Sequence, residues 1–156
     1  MEEPSVILQR NSTLSKNREI FTLGTSQRNL EEFIKILKHY QIELIIDVRR
    51  WPKSKKFSHF NKENLIKALE AENISYLHLE ELGGYRREGY EKYMSSERFS
   101  QALERVIKEA ENKRVCLICA EKAYFRCHRR FIAQALKERG FWVKHIFEIG
   151  RVYEER

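Results

Sequence analysis

Short apolar stretches that read as strands alternate with amphipathic stretches that read as helices along most of the chain. No other feature of the sequence constrains the fold as much. The strand-like stretches lie at residues 20–23, 42–49, 74–79, 115–120 and 141–147. The second, Ile42-Glu43-Leu44-Ile45-Ile46-Asp47-Val48-Arg49, is nearly continuous in large aliphatic residues, as suits a central strand covered on both faces. Four helices are predicted between them. Asn29 with Glu32 three residues on forms a capping box, and Leu30, Phe33, Ile34 and Leu37 then share one face. Asn61 precedes Leu65, Ala68, Leu69 and the apolar stem of Glu72, and Ser95 or Ser96 opens a stretch with Phe99, Ala102, Leu103, Val106 and Ala110 on one side. Phe131, Ile132, Ala135 and Leu136 form the last apolar face, with Gly140 placed as a C-cap glycine. Repeated βα units imply right-handed crossovers, so the predicted fold is α/β: a single-domain three-layer α/β/α sandwich over residues 19–156 with a mainly parallel five-stranded sheet. Residues 1–18 show no sustained period and read as an N-terminal tail or lead-in. Strand order is not readable from the sequence.

The 156 residues suit one core, since a domain of that size buries roughly 68–70% of the surface its unfolded chain exposes. No apolar run reaches the ~18 residues of a membrane span, and Met1-Glu2-Glu3-Pro4 lacks the features of a secretory signal, which predicts a soluble cytoplasmic protein. Three cysteines, an odd number, then read as free thiols or metal ligands rather than a disulfide framework. Charged residues make up 34% of the chain and lean toward a thermophile-like composition. The 23 acids comprise a single Asp, Asp47, against 22 Glu, which suggests a place where short reach matters; compositional drift is the bland alternative. The net charge of +7 is local. Segments 49–56 (Arg49, Arg50, Lys53, Lys55, Lys56) and 122–130 (Lys122, Arg126, Arg129, Arg130) hold nine cations and no acid, which leaves −2 for the rest of the chain. Two basic loops predict an anionic partner.

In a parallel sheet the carboxyl ends of all strands share one edge, and ligands bind there. Thr25 and Ser26 follow the first strand, Asp47 and Arg49 end the second, His78 and Glu80 the third, and Cys119 and Glu121 the fourth. Singly these have ordinary structural readings, a turn-capping Asp or a packing His among them. Jointly they mark a site. The stretch from Cys119 to Arg130 admits several chemistries. A Cys116-x-x-Cys119 pair is rejected, because residues three apart on a strand face opposite ways. A rhodanese- or phosphatase-like cradle with Cys119 as nucleophile fits the order strand, Cys, loop, helix, and Asp47-Val48-Arg49 resembles the rhodanese pattern, but the loop has no Gly and carries bulky Tyr124 and Phe125. Cys127, at a helix start beside Arg126, His128, Arg129 and Arg130, should favour thiolate and act as a nucleophile, or it is simply a small helix-start residue. A metal site from Cys119, Cys127 and His128 would need a fourth ligand and two adjacent ligands on one ion, so no metal is assigned.

These residues carry a resemblance. Phe21-Thr22-Leu23-Gly24-Thr25-Ser26 with Leu30-Glu31-Glu32-Phe33, Leu44-Ile45-Ile46-Asp47-Val48-Arg49 with Pro52, Phe60-Asn61, Tyr76-Leu77-His78-Leu79-Glu80-Glu81-Leu82-Gly83-Gly84, Gly89-Tyr90 with Tyr93-Met94, Cys119-Ala120-Glu121 with Cys127-His128-Arg129, and His145-Ile146 together resemble the domain-of-unknown-function 488 family. The match spans all but the N-terminal tail, although Thr25 stands where many such sequences carry His. The resemblance supports the site and implies no established reaction.

Three functions follow. As an enzyme, Asp47, Glu121 and Cys127 would be catalytic, with Ser26, Arg49, His78, Glu80, Arg126, His128 and Arg129 binding a phosphate-bearing ligand, a nucleotide or a nucleic-acid end. As a non-catalytic nucleic-acid-binding domain, Trp51, Phe57, Tyr85, Tyr90, Tyr93, Tyr124 and Phe125 would stack bases while Arg and Lys hold phosphates. As a scaffold, the polar edge would be an internal salt-bridge network, Asp47 with Arg49 or Arg129 and Glu121 with Arg126 or His128.

Overall fold

The computed structural model describes residues 18–53, 55–84, 86–121 and 127–155. The predicted lead-in at 1–18 lies outside them, Arg18 excepted. Strands form at β1 (Glu19–Gly24), β2 (Leu44–Asp47), β3 (Ser75–His78), β4 (Val115–Cys119), β5 (Trp142–Glu148) and β6 (Arg151–Glu155). Helices form at α1 (Leu30–His39), α2 (Lys62–Glu70), the single turn α3 (Tyr90–Tyr93), α4 (Glu97–Ala110) and α5 (Arg129–Glu138). The strands make one sheet in the order β3-β2-β4-β1-β5-β6, parallel throughout except for the β5/β6 pair.

The mainly parallel α/β sandwich is thus as read from the sequence, with six strands rather than five. The addition is a hairpin: β5 turns at Ile149 and Gly150, the glycine at φ 81°, and β6 returns antiparallel along the sheet edge. Its sequence, Arg151-Val152-Tyr153-Glu154-Glu155, is too polar to read as an inner strand, and charge is what a sheet edge tolerates.

Both faces of the sheet are covered. Phe33, Ile36 and Leu37 of α1 and Leu65 and Leu69 of α2 pack with Phe21, Leu23, Ile45, Cys116 and Ile118. Phe99, Leu103 and Val106 of α4 and Ile132, Ala133 and Leu136 of α5 pack on the other face with Ile20, Ile46, Leu117 and Cys119. Burying each large aliphatic side chain contributes about 1.5–3 kcal/mol before the entropy of ordering it. The caps largely follow the sequence. Asn29 accepts from the Glu32 N–H at 2.7 Å, Ser96 accepts from the Phe99 N–H at 3.2 Å, and Gly140 follows α5 at φ 90°. Asn61 holds the N-cap position of α2 but its side chain does not cap. Among the described residues no helix is long and apolar enough to cross a membrane.

Strand β4 lies between β2 and β1. The chain leaves β1 and β2 toward the α1/α2 face and leaves β4 toward the α5 face. Connections that part in opposite directions open a crevice at the carboxyl ends of neighbouring strands. Cys119 ends β4 at that point.

Candidate functional site

The crevice is a cleft of about 760 Å³. Ser26 lines it from the end of β1, Arg49, Arg50, Trp51 and Lys53 from β2, and Gly84, Arg86 and Tyr90 from the segment after β3. Cys119, Ala120 and Glu121 come from β4, and Cys127, His128, Arg130 and Phe131 from the start of α5. Five Arg and Lys side chains therefore face one carboxylate, Glu121, among the described lining residues. Backbone bonds hold the strand ends in register: Thr25 and Ser26 N–H donate to the carbonyls of Cys119 and Ala120, each at 2.8 Å, and Val48 N–H to Ile118 at 2.9 Å.

Asp47 is fully buried and not among the lining residues. It accepts from the Arg49 guanidinium at both oxygens (Nε to Oδ1 2.8 Å, Nη2 to Oδ2 2.7 Å), from the Arg49 N–H at 3.0 Å and from the Tyr76 hydroxyl at 2.5 Å. A carboxylate that bonds the N–H two residues on must be short, which accounts for Asp here in a chain that otherwise uses Glu. Burial works against the Arg49 charge, but the hydrogen bonds and charge of Asp47 outweigh it and raise the guanidinium pKa. Burial and the neighbouring Asp47 charge likewise raise that of Tyr76. The pair fixes one cation in the wall of the cleft.

The loops behind that wall are tightly stitched. His78 donates through Nε2 to the Arg49 carbonyl at 2.7 Å, and Glu80 is 3.7 Å from Arg50 Nε and 3.3 Å from Arg98 Nη2. Arg86 donates to the carbonyls of Gly83 (3.0 Å) and Glu80 (2.7 Å), Tyr93 to Glu81 (2.6 Å) and Tyr90 to Leu82 (2.8 Å). Gly83 is required by close approach: a Cβ there would lie 2.6 Å from the Arg50 Cα. His78 and Glu80 thus brace the Arg49–Arg50 turn from behind.

The thiols meet at the floor. Cys119 and Cys116 face opposite sides of the sheet, as expected. Cys119 is buried, Cys127 half-buried, and their sulfurs lie 2.8 Å apart as free thiols. His128 donates through Nε2 to the Val48 carbonyl at 2.9 Å, which leaves its Nδ1 beside Cys127 Sγ at 3.4 Å. The Arg129 N–H also points to Cys127 Sγ at 3.4 Å, at the amino end of α5. The Cys119 hydrogen bond is the largest effect on Cys127. With the His128 hydrogen bond and charge and the Arg129 charge it outweighs burial and lowers the Cys127 pKa to about 4. Burial, then the hydrogen bond to Cys127, pushes Cys119 well above the ordinary thiol range. The two shifts run in opposite directions, favouring the charged form at Cys127 and the protonated form at Cys119.

Of the residues expected at the site, Ser26, Arg49, Glu121, Cys127 and His128 line the cleft. Asp47, His78, Glu80 and Arg129 stand behind it; Arg126, with Lys122, Tyr124, Phe125 and Tyr85, lies outside the described residues. Arg129 is buried and donates to Thr22 Oγ1 at 2.9 Å and to the Glu121 carbonyl at 2.7 Å, so it ties the end of β4 to α5. It shares the inward stripe of α5 with Ile132, Ala133 and Leu136, a placement that its charge masked in the sequence. Arg50, Lys53, Arg86 and Arg130 line the cleft without having been singled out, although three of them sit in the two basic segments. Among the described residues no group of three His, Cys, Asp or Glu side chains is placed to hold a metal.

Comparison with known proteins finds no match among curated proteins and none among solved structures. Residues 29–136, which run from the cap of α1 to Leu136 of α5, match the family described as domain of unknown function DUF488. The chain belongs to the DUF488 family, and the buried Asp47–Arg49 pair and the Cys119–Cys127 contact both fall within the matched region.

Proposed function

We propose that this protein is an enzyme that binds a phosphate-bearing ligand, a nucleotide or a nucleic-acid end, in the cationic cleft and acts on it with Cys127 as nucleophile. The observation that carries the reading is the half-buried Cys127 sulfur in a cleft lined by Arg49, Arg50, Lys53, Arg86 and Arg130, where its neighbours lower its pKa and favour the thiolate. A thiolate is the reactive form of cysteine, and guanidinium groups bind phosphate through paired N–H donors. Glu121, exposed in the same cleft, takes the proton-transfer role. Asp47 and Arg129 are positioning residues, the first acting through Arg49 and the second through the Glu121 carbonyl.

The test pairs binding with reactivity. Nucleotides and 5′-phosphorylated single-stranded oligonucleotides should protect Cys127 from iodoacetamide, and Cys127→Ala should keep binding while abolishing turnover of the ligand. Full alkylation at saturating ligand would refute the shared site.

A second reading has its own support. Trp51 is 63% exposed at the cleft mouth with the Arg50 guanidinium 5.0 Å from its ring, a stacking platform beside cations. As a non-catalytic nucleic-acid-binding domain the protein would bind single strands with a salt slope of about −0.7 per phosphate contact, and Cys127→Ala would change nothing. A salt-independent affinity would sink it.

A further inference from the structure

The cleft holds a second thiol with no part in the reading above. Cys119 is 1% exposed, its Sγ lies 2.8 Å from Cys127 Sγ, and the Glu121 carbonyl lies 3.5 Å from the same sulfur. A disulfide needs a separation of about 2.05 Å, so less than 1 Å of approach would close one.

We propose that Cys127 and Cys119 form a reactive pair for which the substrate is a hydroperoxide: Cys127 is the sulfur that is oxidised, and Cys119 is the resolving thiol that captures it as an intramolecular disulfide. The proposal rests on the reading of Cys127 as an accessible thiolate. It adds a role for Cys119 and an oxidised state in which Cys127 is withdrawn from nucleophilic chemistry.

The order of events follows from access. Both cysteines border the cleft, but Cys127 is half-buried whereas Cys119 is 1% exposed, so Cys127 is the more accessible of the two. In the first step the Cys127 thiolate attacks the hydroperoxide; an S–O bond forms, the O–O bond breaks, and the departing hydroxide or alkoxide takes a proton from solvent. Cys127 is then a sulfenic acid. In the second step the Cys119 sulfur attacks the Cys127 sulfur; the S–S bond forms, the S–O bond breaks, and the hydroxyl leaves as water with the proton Cys119 carried. Two thiols lose two electrons in all and one hydroperoxide gains them. The Cys119 proton passes to the leaving hydroxyl as the S–S bond forms, so the attacking sulfur gains thiolate character in the same step that releases water. Cys116 takes no part, since it is fully buried and faces the opposite side of the sheet.

The experiment treats the full chain with hydrogen peroxide in slight excess, blocks free thiols after denaturation, and maps the peptides by mass. The expected result is loss of two hydrogens, a Cys119–Cys127 linked peptide, a blocked Cys116 and full reversal by dithiothreitol. In Cys119→Ala, Cys127 should accumulate as a sulfenic acid that dimedone traps and then gain further oxygens. Sulfinic or sulfonic Cys127 in the unsubstituted protein, a link to Cys116, or a disulfide between chains would overturn the proposal. Iodoacetamide labelling of unoxidised protein at mildly acidic pH separates the two ideas. Labelled Cys127 with no disulfide after peroxide refutes the resolving role alone, whereas an unreactive Cys127 refutes both.

Discussion

The Cys127 thiolate predicts a reactivity profile that no ordinary cysteine shares. An unperturbed thiol with a pKa near 9.0 is about one part in a thousand thiolate at pH 6, whereas Cys127, lowered to about 4, is almost wholly thiolate there. That is a gain of about a thousandfold in reactive species. Nucleophilicity falls with basicity, however, with a Brønsted coefficient of about 0.4–0.5, so a drop of about five units gives back about 2–2.5 powers of ten. The net expectation toward a small aromatic disulfide is a rate about 3–10 times that of a free thiol at pH 6 and about a hundred times lower at pH 9. The two profiles therefore cross near neutrality, and that of Cys127 stays flat from about pH 5 upward. Stopped-flow absorbance against pH, with the modified peptide identified afterwards, measures this directly. Cys119→Ala should move the onset to higher pH by more than His128→Asn does, because the Cys119 hydrogen bond is the larger cause. A rate that climbs tenfold per pH unit through pH 8 would refute the thiolate and the reasoning built on it.

Two further predictions concern the frame that holds the cations. Asp47→Asn leaves the Arg49 guanidinium buried without its charge partner and should cost about 3–5 kcal/mol in urea unfolding at neutral pH, whereas Tyr76→Phe, which removes one bond to the same carboxylate, should cost about 1.5–3 kcal/mol. A larger loss for Tyr76→Phe would refute the account of the pair. Gly83→Ala forces a Cβ against the Arg50 backbone and should cost about 1–3 kcal/mol by thermal or chemical melting. The same substitution should weaken anion binding, because the turn it displaces carries Arg49 and Arg50; unchanged phosphate affinity would detach that turn from the site.

What the sequence revealed and what it hid divide along a physical line. Strand ends, helix caps and charge clusters are local, so Asn29, Ser96, Gly140 and the basic segments 49–56 and 122–130 could be read directly. Strand order is not local, and neither is the depth of a side chain. Arg129 and Arg130 are neighbours in one basic run, yet a helix turns each residue about 100° from the last, so Arg129 goes under the β4 end and Arg130 into the cleft. Asp47 and Glu121 both follow apolar strands, but only the first is sealed by four donors. The Asp47–Arg49 ion pair forms as the sequence suggested, while Arg129 donates to the Glu121 carbonyl and to Thr22 Oγ1. Among the described residues each basic segment thus holds one buried arginine, Arg49 or Arg129, and at least one more exposed cation that lines the cleft, Arg50 and Lys53 in the first and Arg130 in the second. The Cys119–Cys127 contact follows from that division. Arg129 ties the end of β4 to the first turn of α5, and in doing so it holds the sulfur at the strand end against the sulfur that precedes the helix.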